Sequence, residues 1–213
     1  MRMYSPSNDK SKAEFPTTQA LLAKSKALDE RLGPKHPDSI AAVEKLAEHL
    51  LDIWEDETAE PYFQRVCDYY IESKGAEDAD TLARLFRMAE LQSDLEHESE
   101  ASRLYLLVLE GRIKVLGQEH PDTLESLVEY AELLIYQEQF DQAETLYVRA
   151  VESAQKVFGA EDKKTREYQS GLAICRKISG KKTDETPEPK KGCGSSTALI
   201  AFVLLCASYV LLA

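Results

Sequence analysis

The fold class is decided by residues 116–151, LGQEHPDTLESLVEYAELLIYQEQFDQAETLYVRAV. Gly117 ends one helix in this pattern, Pro121 suits the first turn of the next helix, and Asp122 or Thr123 is expected to cap it. A polar break at 137–141 separates this helix from a second one. Each helix has apolar residues at helical spacing, which are Leu124, Leu127, Tyr130, Ala131 and Leu134 in the first and Ala143, Leu146, Tyr147, Ala150 and Val151 in the second.

The same pattern recurs every 42 residues along the chain. We use the word column for the residues that occupy one position in successive repeats. Since one helix pair cannot bury its apolar face alone, such repeats are expected to stack. The columns are Gly33, Gly75, Gly117 and Gly159; Ser39, Thr81, Thr123 and Thr165; Ala47, Ala89, Ala131 and Ala173; Ala59, Ala101 and Ala143; and Phe63, Tyr105 and Tyr147.

The columns predict an all-α, right-handed solenoid of helical hairpins. Arg166 and Gln169 replace apolar residues in the last predicted helix, which is therefore expected to cap the stack with one wet face. The predicted order is a disordered segment at 1–16, a helix at 17–32, units at about 38–74, 80–116 and 122–158, a capping helix at 163–178, a polar linker at 180–196 and a transmembrane helix at 197–213.

These columns resemble the tetratricopeptide repeat, in its 42-residue form. The phrases LGPKHPDS (32–39), LGQEHPDT (116–123) and FDQAETLYVRAV (140–151) are similar to the repeats of kinesin light chains. The resemblance covers about residues 17–179. It implies a non-catalytic scaffold that binds a protein or peptide in a groove lined by the first helix of each unit.

The resemblance also implies which residues line that groove. Kinesin light chains place Asn and basic residues at several of these positions and bind acidic peptides, whereas this chain places acids there. An acidic groove favours a Lys- or Arg-rich peptide, and a merely solvated helix face is the alternative interpretation of these acids. The groove positions are Glu44, Glu48, Phe86, Glu90, Asp94, Glu125, Val128, Glu132, Ile135, Tyr136 and Glu167.

The segment 197–213, TALIAFVLLCASYVLLA, is apolar throughout. Seventeen helical residues span about 26 Å, which is close to the thickness of the bilayer hydrocarbon. Lys190 and Lys191 precede it, where positive charge is expected on the cytosolic side. We therefore expect a tail anchor with the repeats facing the cytosol, contacting the lipid bilayer through 197–213.

Two alternatives remain for this tail. Gly192, Gly194, Ser195 and Ser196 before it resemble a signal for a glycolipid anchor, although no N-terminal signal peptide is visible. The tail could instead pack on the repeats as a terminal helix. With no basic residue after Ala213, the endoplasmic reticulum is favoured over the mitochondrial outer membrane. Acylation of Cys193 or Cys206 stays open.

Composition excludes several classes of function. Asp and Glu number 38 against 26 Lys and Arg, for a net charge of −12, so a nucleic-acid partner is not expected. No motif indicates catalysis, a metal, a cofactor or a small-molecule substrate. Trp54 is expected to pack between helices, and a role as an anchor in the groove is the alternative. Tyr105 and Tyr147 are expected to lie in the core.

The favoured function is thus a non-catalytic adaptor or scaffold that displays its groove on the cytosolic face of a membrane. Its partner is an unidentified protein or peptide, expected to be basic. The alternatives are a self-associating structural scaffold and a soluble adaptor of the kinesin-light-chain type.

Overall fold

A computed structural model of the chain describes the backbone of residues 11–180 and the side chains of residues 17–180. These residues form helices that follow one another in a stack, each packing mainly on the helices before and after it. The helices are α1 (Ser11–Leu32), α2 (Pro37–Asp52), α3 (Asp56–Lys74), α4 (Ala79–Asp94), α5 (Glu98–Leu116), α6 (Pro121–Tyr136), α7 (Phe140–Val157) and α8 (Lys163–Ile178).

The helix pairs begin within one residue of the predicted units, at Pro37, Ala79 and Pro121. The first helix differs, because α1 begins at Ser11 and not at Thr17. Residues 11–16, which the sequence analysis places in a disordered segment, thus belong to α1.

The turns between units depend on glycine. Gly33, Gly75, Gly117 and Gly159 have φ between +90° and +93°, a region that side chains with a β-carbon rarely adopt. Each glycine follows a helix end, as the sequence pattern predicts, and Gly117 N–H donates to the carbonyl of Ile113 at 3.1 Å.

The turns inside the units also contain a residue with positive φ, but that residue is not glycine. Trp54, Glu96 and Glu138 have φ of 64°, 60° and 60°, although none is glycine. The residue after each donates its N–H back to the helix, for example Gln139 to the carbonyl of Leu134 at 2.7 Å. This is the Schellman arrangement, with a left-handed residue closing the helix. The sequence located the break at 137–141 but not the left-handed residue within it.

The helix N-caps correct one sequence prediction. The cap of α6 is His120, whose Nδ1 accepts from Asp122 N–H at 3.2 Å, and not Asp122 or Thr123. The residue before a proline is held in extended backbone, so the position before Pro121 becomes the cap. The Thr123 hydroxyl instead donates to the carbonyl of Gly117 at 2.8 Å.

The small and aromatic columns of the three helix pairs lie in the core, as predicted, whereas Ala173 in the last helix is exposed. Ala47, Ala89 and Ala131 are fully buried, which lets neighbouring helices approach closely. Tyr105 and Tyr147 are each 2% exposed and fill the space between successive units. The buried thiols of Cys67 and Cys175 form no disulfide, and burial raises the pKa of Cys67 to about 12.

An exposed ion pair repeats at each junction between units. Lys35 pairs with Glu72, Glu77 with Lys114, and Glu119 with Lys156, in the same two columns each time. The polarity is reversed in the first pair, where the lysine lies in the turn and the glutamate on the helix. Such exposed pairs each contribute little to stability.

Across residues 11–180 no helix has both the length and the apolar character needed to cross a bilayer. The predicted transmembrane helix, 197–213, and the linker from residue 181 onward lie outside the described residues, as do Cys193 and Cys206.

Candidate functional site

One face of the stack contains a cavity of about 810 Å³. It extends from the turn between α2 and α3, across α4 and α6, to α8, and the rings of Tyr105 and Tyr147 contribute to its wall. Its volume is in the range of pockets that bind ligands or peptide side chains.

Carboxylates dominate the charge of this cavity. Its lining includes six acids and, among the described residues, no Lys or Arg. The acids come from three separate parts of the stack, so the folded chain collects a negative charge that no single helix carries. They are Asp56, Glu90, Asp94, Glu96, Glu129 and Glu132.

The cavity also has an apolar component at its rim. Trp54 is 59% exposed, Tyr136 is 55% exposed, and Ile174 of α8 is 55% exposed. The expectation that Trp54 packs between helices is therefore wrong. It is the left-handed residue of a turn and not a member of a helix face, so its ring lines the cavity.

The structure brings together about half of the predicted groove. Glu90, Asp94, Glu132, Ile135 and Tyr136 all line the cavity. Glu125 and Glu167 are exposed but do not line it, while Phe86 and Val128 are buried in the core.

Glu44 and Glu48 lie outside the cavity and have basic partners. Arg84 Nε donates to Glu44 at 3.0 Å, and Arg87 Nη2 donates to Glu48 at 3.4 Å. Both arginines belong to α4, one repeat after the acids they neutralise. The negative surface is accordingly shorter than the sequence suggested and is displaced toward the C-terminal repeats.

Glu129 is one of three cavity acids that the sequence analysis missed, together with Asp56 and Glu96. It is half-buried on α6 and lines the cavity between the neighbouring carboxylates. Burial raises the pKa of Glu129 to about 7, and the charges of Glu132, Glu90 and Glu125 act in the same direction. The sequence contains a signal for Glu129, because the residue one repeat earlier in the same column is Arg87, which has the opposite charge.

Tyr147 connects the core to the cavity wall. Its hydroxyl donates to Glu132 Oε1 at 3.4 Å, and burial raises the pKa of this phenol. Gly171 of α8 lies against the same ring and also lines the cavity. The absence of a side chain at Gly171 lets α8 close that end of the cavity.

The cavity carboxylates do not form a metal site. Within residues 17–180 no group of three or more His, Cys, Asp or Glu side chains is arranged to hold a metal ion.

Comparison with known proteins agrees with this architecture. Residues 88–122 and 122–184 each match a family model described as tetratricopeptide repeat. The segment 88–184 is therefore similar in sequence to tetratricopeptide repeats. No curated protein matches the sequence.

Solved structures share the tetratricopeptide-repeat fold over most of the chain. A kinesin-light-chain candidate from Podosopora anserina with nearly identical TPR-like repeats superposes with a TM-score of 0.72 and 19% identity, covering 94% of this chain and 90% of that chain. A point variant of that protein gives a TM-score of 0.73 and 19% identity, covering 96% and 91%. BtubC (BKLC) from P. vanneervenii gives 0.62 and 15% identity, covering 78% and 66%.

Proposed function

We propose that this chain is a non-catalytic interaction module whose cavity binds a basic segment of a partner protein. One observation carries the proposal, which is that six carboxylates and no described Lys or Arg line a cavity of about 810 Å³. The tetratricopeptide-repeat fold supports it, because stacked helical repeats use such concave surfaces for binding.

The mechanism combines charge and apolar contact. The carboxylates attract a Lys- or Arg-rich segment over long range and disfavour an acidic one, which affects association rate and specificity most. The rim residues Trp54, Tyr136 and Ile174 then offer apolar surface to the stems of long basic side chains.

Charge reversal in the cavity tests this function. Glu132→Lys removes one carboxylate and adds a cation at the centre of the lining, so binding of Lys- and Arg-rich peptides should fall at least about tenfold. Glu152→Lys is the matched control, because Glu152 lies on α7, is exposed, and does not line the cavity.

Binding to the full chain is measured by fluorescence anisotropy with labelled basic peptides, with acidic and neutral peptides of equal length beside them. The proposal fails if no basic peptide binds, or if the two variants lose affinity equally.

We further propose that residues 197–213 hold the module at a membrane, with the repeats in the cytosol. The support is the apolar sequence after Lys190 and Lys191. The endoplasmic reticulum is the favoured location, and the mitochondrial outer membrane is the alternative.

Alkaline carbonate extraction of cells tests the membrane proposal, comparing the full chain with a version that lacks residues 192–213. Retention of the full chain alone in the pellet supports it, and release of both overturns it in favour of a soluble adaptor.

A further inference from the structure

Two successive repeats place opposite charges at one position of the cavity face. In α4 this position is Arg87, whose Nη1 donates to Glu90 at 2.6 Å while its Nη2 donates to Glu48 at 3.4 Å. Glu90 lies one turn further along the same helix, and Glu48 lies in its column one repeat earlier. The guanidinium therefore joins two carboxylates of successive repeats.

The next repeat keeps the carboxylates and lacks the guanidinium. Its corresponding acid is Glu132, in the column of Glu48 and Glu90, but the residue in the column of Arg87 is Glu129. Glu129 and Glu132 both line the cavity, and no Lys or Arg among residues 17–180 forms an ion pair with either. This repeat thus has an additional acid where its predecessor has the cation that balances the acids.

The electrostatics of Glu129 agree with the absence of a paired Lys or Arg among residues 17–180. Its pKa is raised to about 7 by burial and by the acids around it, so near neutral pH a proton partly takes the place of a balancing charge. A cation brought into the cavity from outside would replace that proton.

The surroundings favour a guanidinium over an ammonium group. This chain already stacks guanidinium groups on aromatic rings, with Arg84 4.2 Å from the centre of Tyr70 and Arg112 4.3 Å from that of Phe86. The cavity supplies exposed tyrosine surface at Tyr136 beside its carboxylates. The guanidinium group of arginine is planar, can bind carboxylates through two hydrogen bonds and can stack on an aromatic ring. It therefore suits this combination better than the ammonium group of lysine, which acts as a point charge.

We propose that the partner inserts an arginine side chain into the cavity, and that its guanidinium binds the carboxylates of Glu129 and Glu132, an arginine–carboxylate pairing of the kind that Arg87 makes with Glu48 and Glu90. The inference rests on the proposed function, since it names the group by which a basic segment is recognised. It goes beyond general basicity by assigning a specific contact to two carboxylates.

The first test compares three peptides that differ at one residue. Each is a blocked nonapeptide with lysines near both ends and Arg, Lys or citrulline at its centre, titrated into the full chain by calorimetry. The arginine peptide should bind about tenfold more tightly than the lysine peptide, and the citrulline peptide, which is isosteric but uncharged, should bind no better than the lysine peptide.

The failures of the two proposals are distinguishable. If arginine and lysine peptides bind equally and both are weakened by Glu132→Lys, the arginine inference is overturned while the basic-peptide function stands. If none of the three peptides binds, both proposals fail.

The second test supplies the missing guanidinium from the chain itself. Glu129→Arg recreates in α6 the arrangement of Arg87 in α4, so the new arginine should pair with Glu132 and occupy the site. The variant should show normal helical content by circular dichroism, an unfolding midpoint no lower than that of the parent chain, and no preference for the arginine peptide.

Glu152→Arg is the matched control, with the same charge change at an exposed position of α7 outside the cavity, and it should keep that preference. Retained preference for arginine in folded Glu129→Arg overturns the inference.

Discussion

Gly171 of α8 lies so close to the ring of Tyr147 that a β-carbon built on it would be 2.5 Å from Cε1 and 2.8 Å from the hydroxyl oxygen. These distances are below any van der Waals contact, so helix and ring occupy the space that a side chain would need. Tyr147 is itself almost fully buried, and it cannot move without disturbing the core.

Gly171→Ala should therefore destabilise the chain by about 1–2 kcal/mol, because the cost of overpacking exceeds the gain in helix propensity. Urea denaturation followed by circular dichroism measures this. Adding Tyr147→Leu should reduce the penalty of the alanine, since the smaller side chain leaves room for the methyl group. Equal effects of Gly171→Ala in both backgrounds would contradict the proposed contact.

The left-handed residue Glu138 offers a stabilising change. A side chain with a β-carbon is strained at its φ of 60°, and glycine is not. Glu138→Gly should raise the free energy of unfolding by about 0.5–1 kcal/mol, since relief of strain exceeds the added entropy of the unfolded chain. Glu138→Ala keeps the β-carbon and is the control, for which no gain is expected. A gain of the same size with alanine would show that removal of the charge is responsible.

The histidine cap of α6 should contribute measurably to stability. His120→Ala removes the acceptor of the Asp122 N–H and should cost about 0.5–1 kcal/mol. His120→Asp should lose nothing, because Asp78 and Asp162 already cap α4 and α8 in the same column. Thermal unfolding of the parent chain and both variants at pH 8 compares them, and equal midpoints of the parent chain and His120→Ala would mean that the ring nitrogen contributes nothing as a cap.

The raised pKa of Glu129 predicts a pH-dependent stability. Its folded value of about 7 is above its ordinary value of 4.5, so between these values the folded state holds a proton that the unfolded state has released. The contribution of this group to stability is complete below about pH 4.5 and is lost as the pH rises through 7. Glu129→Gln mimics the protonated form, so it should match the parent chain at pH 5 and exceed its stability by about 1–2 kcal/mol at pH 8.

Unfolding by urea at the two pH values measures the difference. A constant difference between parent and variant would mean that Glu129 titrates as an ordinary exposed carboxyl group.

Peptide binding should show the opposite dependence on pH. A guanidinium favours ionised Glu129, so the arginine peptide should bind about tenfold more weakly at pH 6 than at pH 8. In Glu129→Gln this dependence should disappear, and calorimetry at the two pH values measures both. Several titratable or charged groups among residues 17–180 act on Glu129 or lie beside it. They are Glu90 of α4 with its partner Arg87, Tyr105 of α5, Glu125 and Glu132 of α6, Tyr147 of α7 and Tyr168 of α8.

The sequence predicted the helices well because their determinants are local. The spacing of Ala131 and Leu134 along one helix, and the glycines 42 residues apart, define elements and turns without any knowledge of the neighbours. The cap at His120 is also local, but it depends on the extended backbone that Pro121 imposes on the preceding residue and not on the usual capping preference for Asp or Thr.

The cavity was predicted only in part because charges pair across repeats. Whether Glu48 is a free acid depends on Arg87, which is distant in sequence and adjacent in the stack. The exposure of Trp54 depends on a backbone conformation that no propensity for tryptophan would suggest. A prediction of the groove from repeat positions alone therefore includes Glu44 and Glu48 and omits Glu129.

The junction ion pairs bear on how the repeats find the right neighbours during folding. Similar repeats can dock in the wrong order, which is a common way for repeat proteins to misfold or exchange segments. The turn before α2 offers Lys35 where the later turns offer Glu77 and Glu119. If that turn docked on α5 or α7 it would meet Lys114 or Lys156, and two lysines would face each other. The reversed order of charges in the first pair thus disfavours docking of the repeats in the wrong order. It does so while adding little to the stability of the correctly ordered stack.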